Sequence, residues 1–289
     1  MATISIAVPG TPPSRYDVVV EPGALSRLGA LVTAAAPAAR YAVLADERVA
    51  GLYGDAACAA IARAGARVDL VPFAAGEARK TVATWAELCD ALVQLGVGRD
   101  GCVIALGGGV AGDVAGFVAA TYLRGVDFVQ VPTTLLAMVD ASVGGKTGVD
   151  TAGGKNLVGA FHQPRLVVAD PEVLASLPEA ELRAGLAEAV KHGVIADAAY
   201  LDRIVRDAGA ILRRDAAALG AVVARSVEIK AEVVAADPRE AGRRAVLNFG
   251  HTIGHALEML SGYTLPHGYA VATGMVAEAA IGEAAGVTA

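Results

Sequence analysis

Three of the five histidines of this chain lie within 17 positions. His251 and His255 stand four residues apart and therefore share one face of a predicted helix, while His267 follows a predicted turn. Glu188 and Lys191 stand three residues apart on another predicted helix. A glutamate with two or three imidazoles is a suitable donor set for a zinc-type ion that keeps one position open for substrate.

The alternative for a single histidine is a structural role in the core or at a helix cap, and we assign that role to His162 and His192. For three histidines so close together, the metal interpretation is favoured over the structural one. The segment HTIGH lacks the glutamate of the HExxH motif, which excludes a metalloprotease of that type.

The stretch VDASVGGKTGVDTAGGKN, residues 139–156, contains two Gly-Gly-Lys units nine residues apart. A P-loop requires glycine where Asp140 stands, and a carboxylate opposes phosphate binding by backbone N–H groups. A nucleoside triphosphatase is therefore disfavoured. Lys146, Lys155 and Asn156, together with Asp140, indicate a site for another anion, and the alternative is an exposed glycine loop with solvated lysines.

A glycine pattern typical of dinucleotide sites follows the apolar stretch GCVIAL, where Gly107, Gly109 and Gly112 open a predicted helix. Such spacing also arises by chance in a chain rich in alanine and glycine. The acidic residue expected about 20 positions later is missing, because Asp127 comes early and at the start of a strand. Asp46, which ends the predicted strand YAVLAD, is a better partner for a ribose.

The elements that must position these residues change in type along the chain. Up to about residue 170, short β-rich runs alternate with amphipathic helical stretches, which predicts a parallel sheet with helices on both faces. From about Glu179 the helical period dominates. We therefore predict a Rossmann-like α/β domain over residues 1–172 and an all-helical domain over residues 173–289, with a cleft between them.

Composition narrows the class of protein. Hydrophobic residues make up 55% of the chain and charged residues 19%, so a large core is expected and disorder is not. The net charge of −6 without a basic block disfavours a nucleic-acid partner. Three scattered cysteines, no secretory pattern and no apolar run of about 18 residues predict a cytoplasmic protein without a membrane span.

Five longer blocks give a more specific indication, because together they resemble the 3-dehydroquinate synthase family from about residue 40 onwards. The blocks are GGGVAGDVAGFVAATYLRG, VPTTLLAMVDASVGGKTGVD, GGKNLVGAFHQP, ELRAGLAEAVKHG and LNFGHTIGHALE. The resemblance implies an NAD-binding α/β domain, a helical domain with a divalent metal (zinc, with cobalt as an alternative) and a homodimer.

The resemblance also implies roles for individual positions. Glu188, His251 and His267 match the metal ligands, whereas His255 matches a position near the substrate, which differs from the three-histidine set that spacing allowed. The positions that match NAD contacts are Asp46, Glu77, Lys80, Gly108, Gly109, Asp113, Thr133, Thr134 and Lys155. Those that match the substrate site are Asp140, Lys146, Lys155, Asn156, Lys191, Lys230, Arg244, Asn248 and His255, with Arg124 matching an arginine that enters the neighbouring subunit.

The implied substrate is a phosphorylated sugar acid, 3-deoxy-D-arabino-heptulosonate 7-phosphate. Hydride passes from a ring carbinol to NAD, which acidifies the neighbouring carbon, and phosphate then leaves by elimination, with the substrate's own phosphate as the base. Hydride returns to the ketone, the ring opens and an intramolecular aldol closes the carbocycle. The lysines and Asn156 are expected on the phosphate and Arg244 on the carboxylate side.

The chain also departs from the family pattern. Tyr269 stands where glutamate is common, and His192 stands where an aromatic residue is common. The sequence ends in AAIGEAAGVTA, where the family normally continues with a further substrate-site lysine. The alternatives are therefore a related cyclase that makes an inosose, valiolone or aminodehydroquinate, a polyol dehydrogenase that releases NADH, and an inactive truncated homologue.

Overall fold

A computed structural model describes residues 2–8, 14–238, 240–262 and 264–287. Seven strands form one sheet in the order β1-β2-β9-β6-β5-β3-β4. The nine strands are β1 (Ala2–Val8), β2 (Ser14–Val20), β3 (Tyr41–Asp46), β4 (Val68–Phe73), β5 (Cys102–Gly107), β6 (Asp127–Pro132), β7 (Lys146–Thr151), β8 (Gly154–Phe161) and β9 (Leu166–Ala169). All pairings of the large sheet are parallel except that of β1 with β2.

Helices cover both faces of this sheet, as the alternation of strands and helices predicts. Along β3, Val43 and Ala45 pack into one hydrophobic cluster, whereas Ala42 and Leu44 pack into the other. The α-helices in the part of the chain that the structure describes are α1 (Leu28–Ala35), α2 (Glu47–Val49), α3 (Asp55–Arg63), α4 (Val82–Gln94), α5 (Gly109–Thr121), α6 (Glu179–Ala196), α7 (Ala198–Leu212), α8 (Ala216–Ala236), α9 (His251–Leu260) and α10 (His267–Ala284). Both sides of each central strand are therefore buried.

The strand order reverses next to β3. From β3 the chain passes to β4 on one side and then crosses to β5 on the other. A reversal of this kind leaves a crevice at the carboxyl ends of the two strands, where α/β proteins bind ligands. Asp46 ends β3 and Gly107 ends β5, so the sequence-predicted cofactor residues lie at this crevice.

The segment with two Gly-Gly-Lys units is not the loop that its glycine content suggests. It forms an antiparallel hairpin of β7 and β8. The glycines permit close approach of the two strands, since a Cβ on Gly159 would lie 2.2 Å from the carbonyl oxygen of Thr147. The alternative of an exposed glycine loop with solvated lysines is therefore wrong as to the loop, because both lysines lie on paired strands, although Lys146 is half exposed.

The chain after Glu179 is helical, as predicted, among the residues described. Helices α6 and α10 touch through backbone, because a Cβ on Gly268 would lie 2.1 Å from the carbonyl oxygen of Ala184. One hydrophobic cluster joins Leu182 of α6 and Val222 of α8 to Val43 of the sheet. The boundary between residues 172 and 173 stays a prediction, and the core itself runs across it.

Among the residues described, none of the helices is both long and apolar enough to cross a bilayer.

Candidate active site in the cleft between hairpin and helices

A cleft of about 580 Å³ lies between the β7–β8 hairpin and the helices that follow it. Its volume is that of a site for a small ligand. The sequence-predicted residues that line it are Asp113, Asp140, Lys146, Asn156, Lys191, Lys230, Arg244, Asn248, His251, His255 and His267. Glu188 lies fully buried beneath its wall.

The predicted metal ligands are brought together from three helices. Oε1 of Glu188, on α6, lies 3.8 Å from Nε2 of His251 and 3.5 Å from Nε2 of His267. A tetrahedral ion with ligand distances of ~2.1 Å separates its ligand atoms by about 3.4 Å, close to these spacings. Oε2 of Glu188 pairs with the ammonium group of Lys191, whereas Oε1 faces the two imidazoles. The donor set and the spacing of its atoms fit a divalent ion.

The pKa shifts of two of these three groups suit metal binding; at His267 burial would lower the pKa, but the carboxylates of Glu188 and Glu258 outweigh it and raise the pKa. Burial alone would raise the pKa of Glu188, but the charge of Lys191 and the two imidazoles outweigh it and lower the pKa to about 2. Burial and the charge of Lys191 lower the pKa of His251. At neutral pH the site therefore offers a carboxylate and a neutral imidazole, which are the forms that bind a cation.

The δ nitrogens of both imidazoles are occupied, so that the ε nitrogens face Glu188. Nδ1 of His267 lies 3.1 Å from Oε2 of Glu258, and Nδ1 of His251 lies 3.3 Å from the carbonyl oxygen of Phe249. Such partners fix the tautomer of a metal-binding histidine. Sequence reasoning missed Glu258, although its position seven residues after His251 places both on one helical face.

A buried charge cluster forms the floor of the cleft. Nζ of Lys230 lies 2.6 Å from Oδ1 of Asp140 and 2.5 Å from the carbonyl oxygen of the same residue. Lys191, which is almost fully buried, pairs with Glu188. Burial alone would raise the pKa of Asp140, but Lys230 and Lys191 hold it well below its usual range. The two carboxylates, Asp140 and Glu188, thus balance the charges of the two buried ammonium groups, and a net positive charge for an anion requires a further cation.

Arg244 adds a guanidinium that is 2% exposed. Nη1 donates to the carbonyl oxygen of Pro238 at 3.0 Å, and Nη2 lies 3.5 Å from that of Gly144. Gly144 has a φ of 102°, and a Cβ there would lie 2.5 Å from Nη2, so glycine makes room for the arginine. A buried guanidinium held by carbonyls keeps donors for a carboxylate or phosphate.

Glu240 is a residue of the cleft that sequence reasoning missed. Its Oε2 pairs with Lys146, and its Oε1 accepts a hydrogen bond of 3.0 Å from Nδ2 of Asn248. Glu240 has a φ of 59°, a strained value for a residue with a side chain. Its distance of 94 positions from Lys146 leaves no local sequence signal for this pairing.

The crevice between β3 and β5 holds several predicted cofactor residues. A Cβ on Gly107 would lie 3.4 Å from Oδ2 of Asp46, and one on Gly108 would lie 3.0 Å from Cγ2 of Thr134. The backbone N–H of Thr133 donates to Gly107 at 2.9 Å. Gly109 begins α5, whose free N–H groups face the same edge.

A buried lysine links this crevice to the hairpin. Nζ of Lys80 lies 2.6 Å from Oδ2 of Asp113 and also donates to Oδ1 of Asn156. Asn156 holds a left-handed φ of 57°, and its N–H donates to Oδ1 of Asp150 at 2.7 Å. The amide nitrogen of Asn156 is thereby directed towards the cleft that it lines.

Lys155 and Arg124 occupy different positions from the other predicted residues. Nζ of Lys155 lies 3.2 Å from Glu77 and 3.8 Å from Glu258, so it connects the cofactor crevice with α9. Arg124 is exposed, has a φ of 70°, and does not line the cleft of its own chain.

The two histidines assigned to structural roles differ in their surroundings. His162 stacks on Phe128, and its Nε2 lies 3.0 Å from the carbonyl oxygen of Val126, as suits a structural residue. His192 is fully buried, and its Nε2 lies 3.9 Å from Oδ1 of Asp140. Neither ring nitrogen of His192 has a hydrogen-bond partner among the residues described. It therefore borders the site, which the structural assignment did not foresee.

Comparison with known proteins gives consistent matches. The family models for the 3-dehydroquinate synthase N-terminal and C-terminal regions match residues 70–184 and 185–289. A 3-dehydroquinate synthase of Symbiobacterium thermophilum is 57% identical over 274 residues, which cover 94% of this chain and 76% of that protein. A 3-dehydroquinate synthase of Pelobacter propionicus is 51% identical over 272 residues, which cover 94% of this chain and 76% of that protein.

Solved structures of two cyclases are also similar. A 2-deoxy-scyllo-inosose synthase, solved with carbaglucose-6-phosphate, NAD+ and Co2+, is 28% identical with a TM-score of 0.91 and covers 99% of this chain and 76% of that one. A 2-epi-5-epi-valiolone synthase from Streptomyces hygroscopicus, solved with NAD+ and Zn2+, is 34% identical with a TM-score of 0.86, and the shares are 94% and 75%. A glycerol dehydrogenase from Schizosaccharomyces pombe shares the fold. It is 19% identical with a TM-score of 0.70, and the match covers 91% of this chain and 70% of that one.

Proposed function

This chain belongs to the 3-dehydroquinate synthase family, and we propose that its cleft converts 3-deoxy-D-arabino-heptulosonate 7-phosphate to 3-dehydroquinate and phosphate in the shikimate pathway. The enzyme is a phosphate-eliminating cyclase, a carbon–oxygen lyase. One observation carries the assignment: the Glu188–His251–His267 cluster shares a cleft with buried cations and adjoins the crevice at β3 and β5. This combination provides for an ion, an anionic substrate and a dinucleotide.

We propose that Glu188, His251 and His267 hold a divalent ion, zinc or cobalt. The support is the ionised carboxylate, the two ε nitrogens directed at it, and the cyclases solved with Co2+ or Zn2+. When bound, such an ion polarises a substrate hydroxyl and so favours loss of its proton. The buried Lys191 holds the second oxygen of Glu188 and thereby keeps the first oxygen turned towards the imidazoles.

We propose that NAD lies along the crevice, supported by the same two cyclases, both solved with NAD+. Its function when bound is to accept a hydride and return it in the same turnover. Asp46 is placed for a ribose hydroxyl, and Gly108 and Gly109 leave the N-terminus of α5 open to a pyrophosphate. The residues proposed to border the rest of the dinucleotide are Glu77, Lys80, Asp113, Thr133, Thr134 and Lys155.

The anionic groups of the substrate are proposed to bind the cations of the cleft. Arg244 has guanidinium donors left for the carboxylate, because its bonds in the structure go to backbone carbonyls. Lys146, Lys155 and Asn156 extend from the hairpin, opposite the helices, and are proposed to hold the phosphate. With the phosphate oriented in this way, it can take a proton from the neighbouring carbon as it leaves.

The remaining polar groups are proposed to orient the ring. Lys191, Lys230 and Asp140 border the floor, and Asn248 and His255 border the helical wall. Burial lowers the pKa of His255, so that its imidazole is neutral at pH 7 and can either accept or donate a proton.

We further propose a cytoplasmic homodimer. Three free cysteines without a disulfide suit a reducing compartment. Strand β8 exposes Leu157 and Phe161, at 64% and 52%, along the rim of the cleft that they line, and Arg124 is exposed outside the cleft of its own chain. Apolar exposure of this kind is typical of an interface. Light scattering after size exclusion tests the dimer, and a monomer at micromolar concentration contradicts it.

The function is tested by phosphate release from the heptulosonate phosphate, measured with NAD present and with or without a chelator. We expect release that the chelator stops and that Co2+ or Zn2+ restores. Glucose 6-phosphate in a parallel reaction tests an inosose synthase, which two solved structures make the second candidate. Absence of metal-dependent release from the heptulosonate phosphate contradicts the proposal.

A further inference from the structure

Glu258 has the surroundings of a residue that acts on its neighbours. It lies on α9, and its carboxylate side chain is buried. Oε2 lies 3.1 Å from Nδ1 of His267, while Oε1 lies 3.8 Å from Nζ of Lys155. Burying a carboxylate costs free energy unless partners compensate it. A third neighbour, Nε2 of His255, lies 4.0 Å from Oε2. His267 and Lys155 belong to different parts of the site, one to the helices and one to the hairpin.

The first contact determines the orientation of His267. A carboxylate that accepts the Nδ1 proton leaves the Nε2 lone pair free, and that nitrogen lies 3.5 Å from Oε1 of Glu188. His251 depends for the same purpose on the carbonyl oxygen of Phe249, a neutral acceptor at 3.3 Å. Since a charged acceptor makes the stronger hydrogen bond, the orientation of His267 is the one more firmly fixed.

The second contact reaches the hairpin. Lys155, on β8, lies between Glu258 and Glu77, at 3.8 Å and 3.2 Å. The ammonium group of Lys155 therefore lies between two carboxylates, one beside the cofactor crevice and one on α9. Any change in the charge of Glu258 alters both the imidazole of His267 and the ammonium group of Lys155.

We propose that Glu258 is a positioning residue of this site, which orients His267 towards Glu188 and holds Lys155 beside it. The inference rests on the proposed function, because it assigns to Glu258 the support of the proposed metal ligands. It predicts that replacement of the carboxylate weakens binding of a divalent ion even where the protein stays folded. Partners of this kind change metal affinity by about 10–100-fold when they are replaced.

The experiment is a titration of the metal-free 289-residue protein with Co2+ against a chromophoric chelator. We expect Co2+ to bind about 10-fold more weakly to Glu258→Gln, whose amide still accepts a hydrogen bond, and about 100-fold more weakly to Glu258→Ala. The visible spectrum of the bound Co2+ shifts in both variants if the His267 ring reorients. Asp170→Asn is the matched control, because Asp170 is also a buried carboxylate but does not line the cleft and instead caps a 3-10 helix after β9.

The outcomes separate the inference from the function. Co2+ affinity and spectrum unchanged in both Glu258 variants overturn the inference, while failure of the wild type to bind Co2+ overturns the metal proposal itself. If Glu258→Ala does not fold, the isosteric Glu258→Gln decides. A double-mutant cycle with Lys155→Met, read as KM for the heptulosonate phosphate, tests the second contact: non-additive effects support it, and additive effects refute it.

Discussion

Asp140 is the residue whose replacement tests the charge balance of the cleft. The variant Asp140→Asn keeps the shape of the side chain and removes its charge. Lys230, 2.6 Å away, and the buried Lys191 then lose the carboxylate that faces them both. Lys191 keeps its ion pair with Glu188, whereas Lys230 is left without a carboxylate partner, and a buried ammonium group without a counter-charge is poorly solvated.

The expected loss of stability follows from the burial of the pair. Breaking a buried ion pair by removing one partner costs about 3–5 kcal/mol. We expect the lower end, about 3 kcal/mol, because the Asp140 side chain stays 26% exposed and Lys230 keeps the carbonyl oxygen of residue 140 at 2.5 Å. For a chain of this size, that corresponds to a fall in Tm of about 6 °C.

The pH dependence has a defined sign. Lys230 and Lys191 outweigh burial and hold the pKa of Asp140 below its value in the unfolded chain. The stabilisation is therefore fully present above the unfolded pKa of about 4 and is lost as pH falls through the folded pKa. As pH decreases between these two values, the wild type loses stability more steeply than Asp140→Asn does.

Calorimetry in phosphate-free buffer and in buffer with inorganic phosphate measures both effects. In Asp140→Asn the unpaired ammonium group of Lys230 should bind phosphate about tenfold more tightly, which restores about 1.4 kcal/mol at saturating phosphate. Asp170→Asn serves as the control, since its buried carboxylate lies outside the cleft and its response to phosphate should equal that of the wild type. An Asp140→Asn protein as stable as the wild type, or equally insensitive to phosphate, refutes the reasoning.

Three further predictions concern other residues. Burial lowers the pKa of His192 to about 4, so the folded wild type should lose up to about 3 kcal/mol of stability as pH falls from 6.5 to 4. Urea unfolding over the same pH range should show a smaller loss of stability in His192→Phe. Gly268→Ala forces α10 away from the carbonyl of Ala184, which should cost about 3 kcal/mol in thermal unfolding. Gly209→Ala in α7, where a Cβ would meet only the flexible end of Arg213 at 3.4 Å, should cost nothing. Glu240→Gln removes the charge that pairs with the half-exposed Lys146, so calorimetry should show roughly threefold tighter binding of inorganic phosphate, and unchanged binding contradicts this.

The fold could largely be predicted, because its core elements have strong periodicity. The strands around Val43 and Ile104 are continuous apolar runs bounded by turns, and the helices after Glu179 repeat at the helical period. The hairpin of β7 and β8 was missed because glycines that normally indicate a loop serve here for the close approach of two strands, at Gly148 and Gly159.

The site could be predicted where its residues lie in compact motifs. His251 and His267 were identified by their density, and Asp140 by the glycine pattern that it interrupts. Glu240 and Glu258 were missed, since their partners Lys146 and Lys155 lie about one hundred positions away and only the tertiary packing brings them together. Which of the clustered residues fulfil the proposed roles is a question of chemistry that neither spacing nor distance answers.

The most direct test of the proposed function is the stoichiometry of a single reaction mixture that contains the heptulosonate phosphate, NAD and Co2+. Phosphate, 3-dehydroquinate and NADH are measured over the same time course. The proposed reaction predicts one phosphate and one 3-dehydroquinate per substrate consumed, with no accumulation of NADH beyond the enzyme concentration. Release of NADH in proportion to substrate consumed, or phosphate release without 3-dehydroquinate, contradicts it.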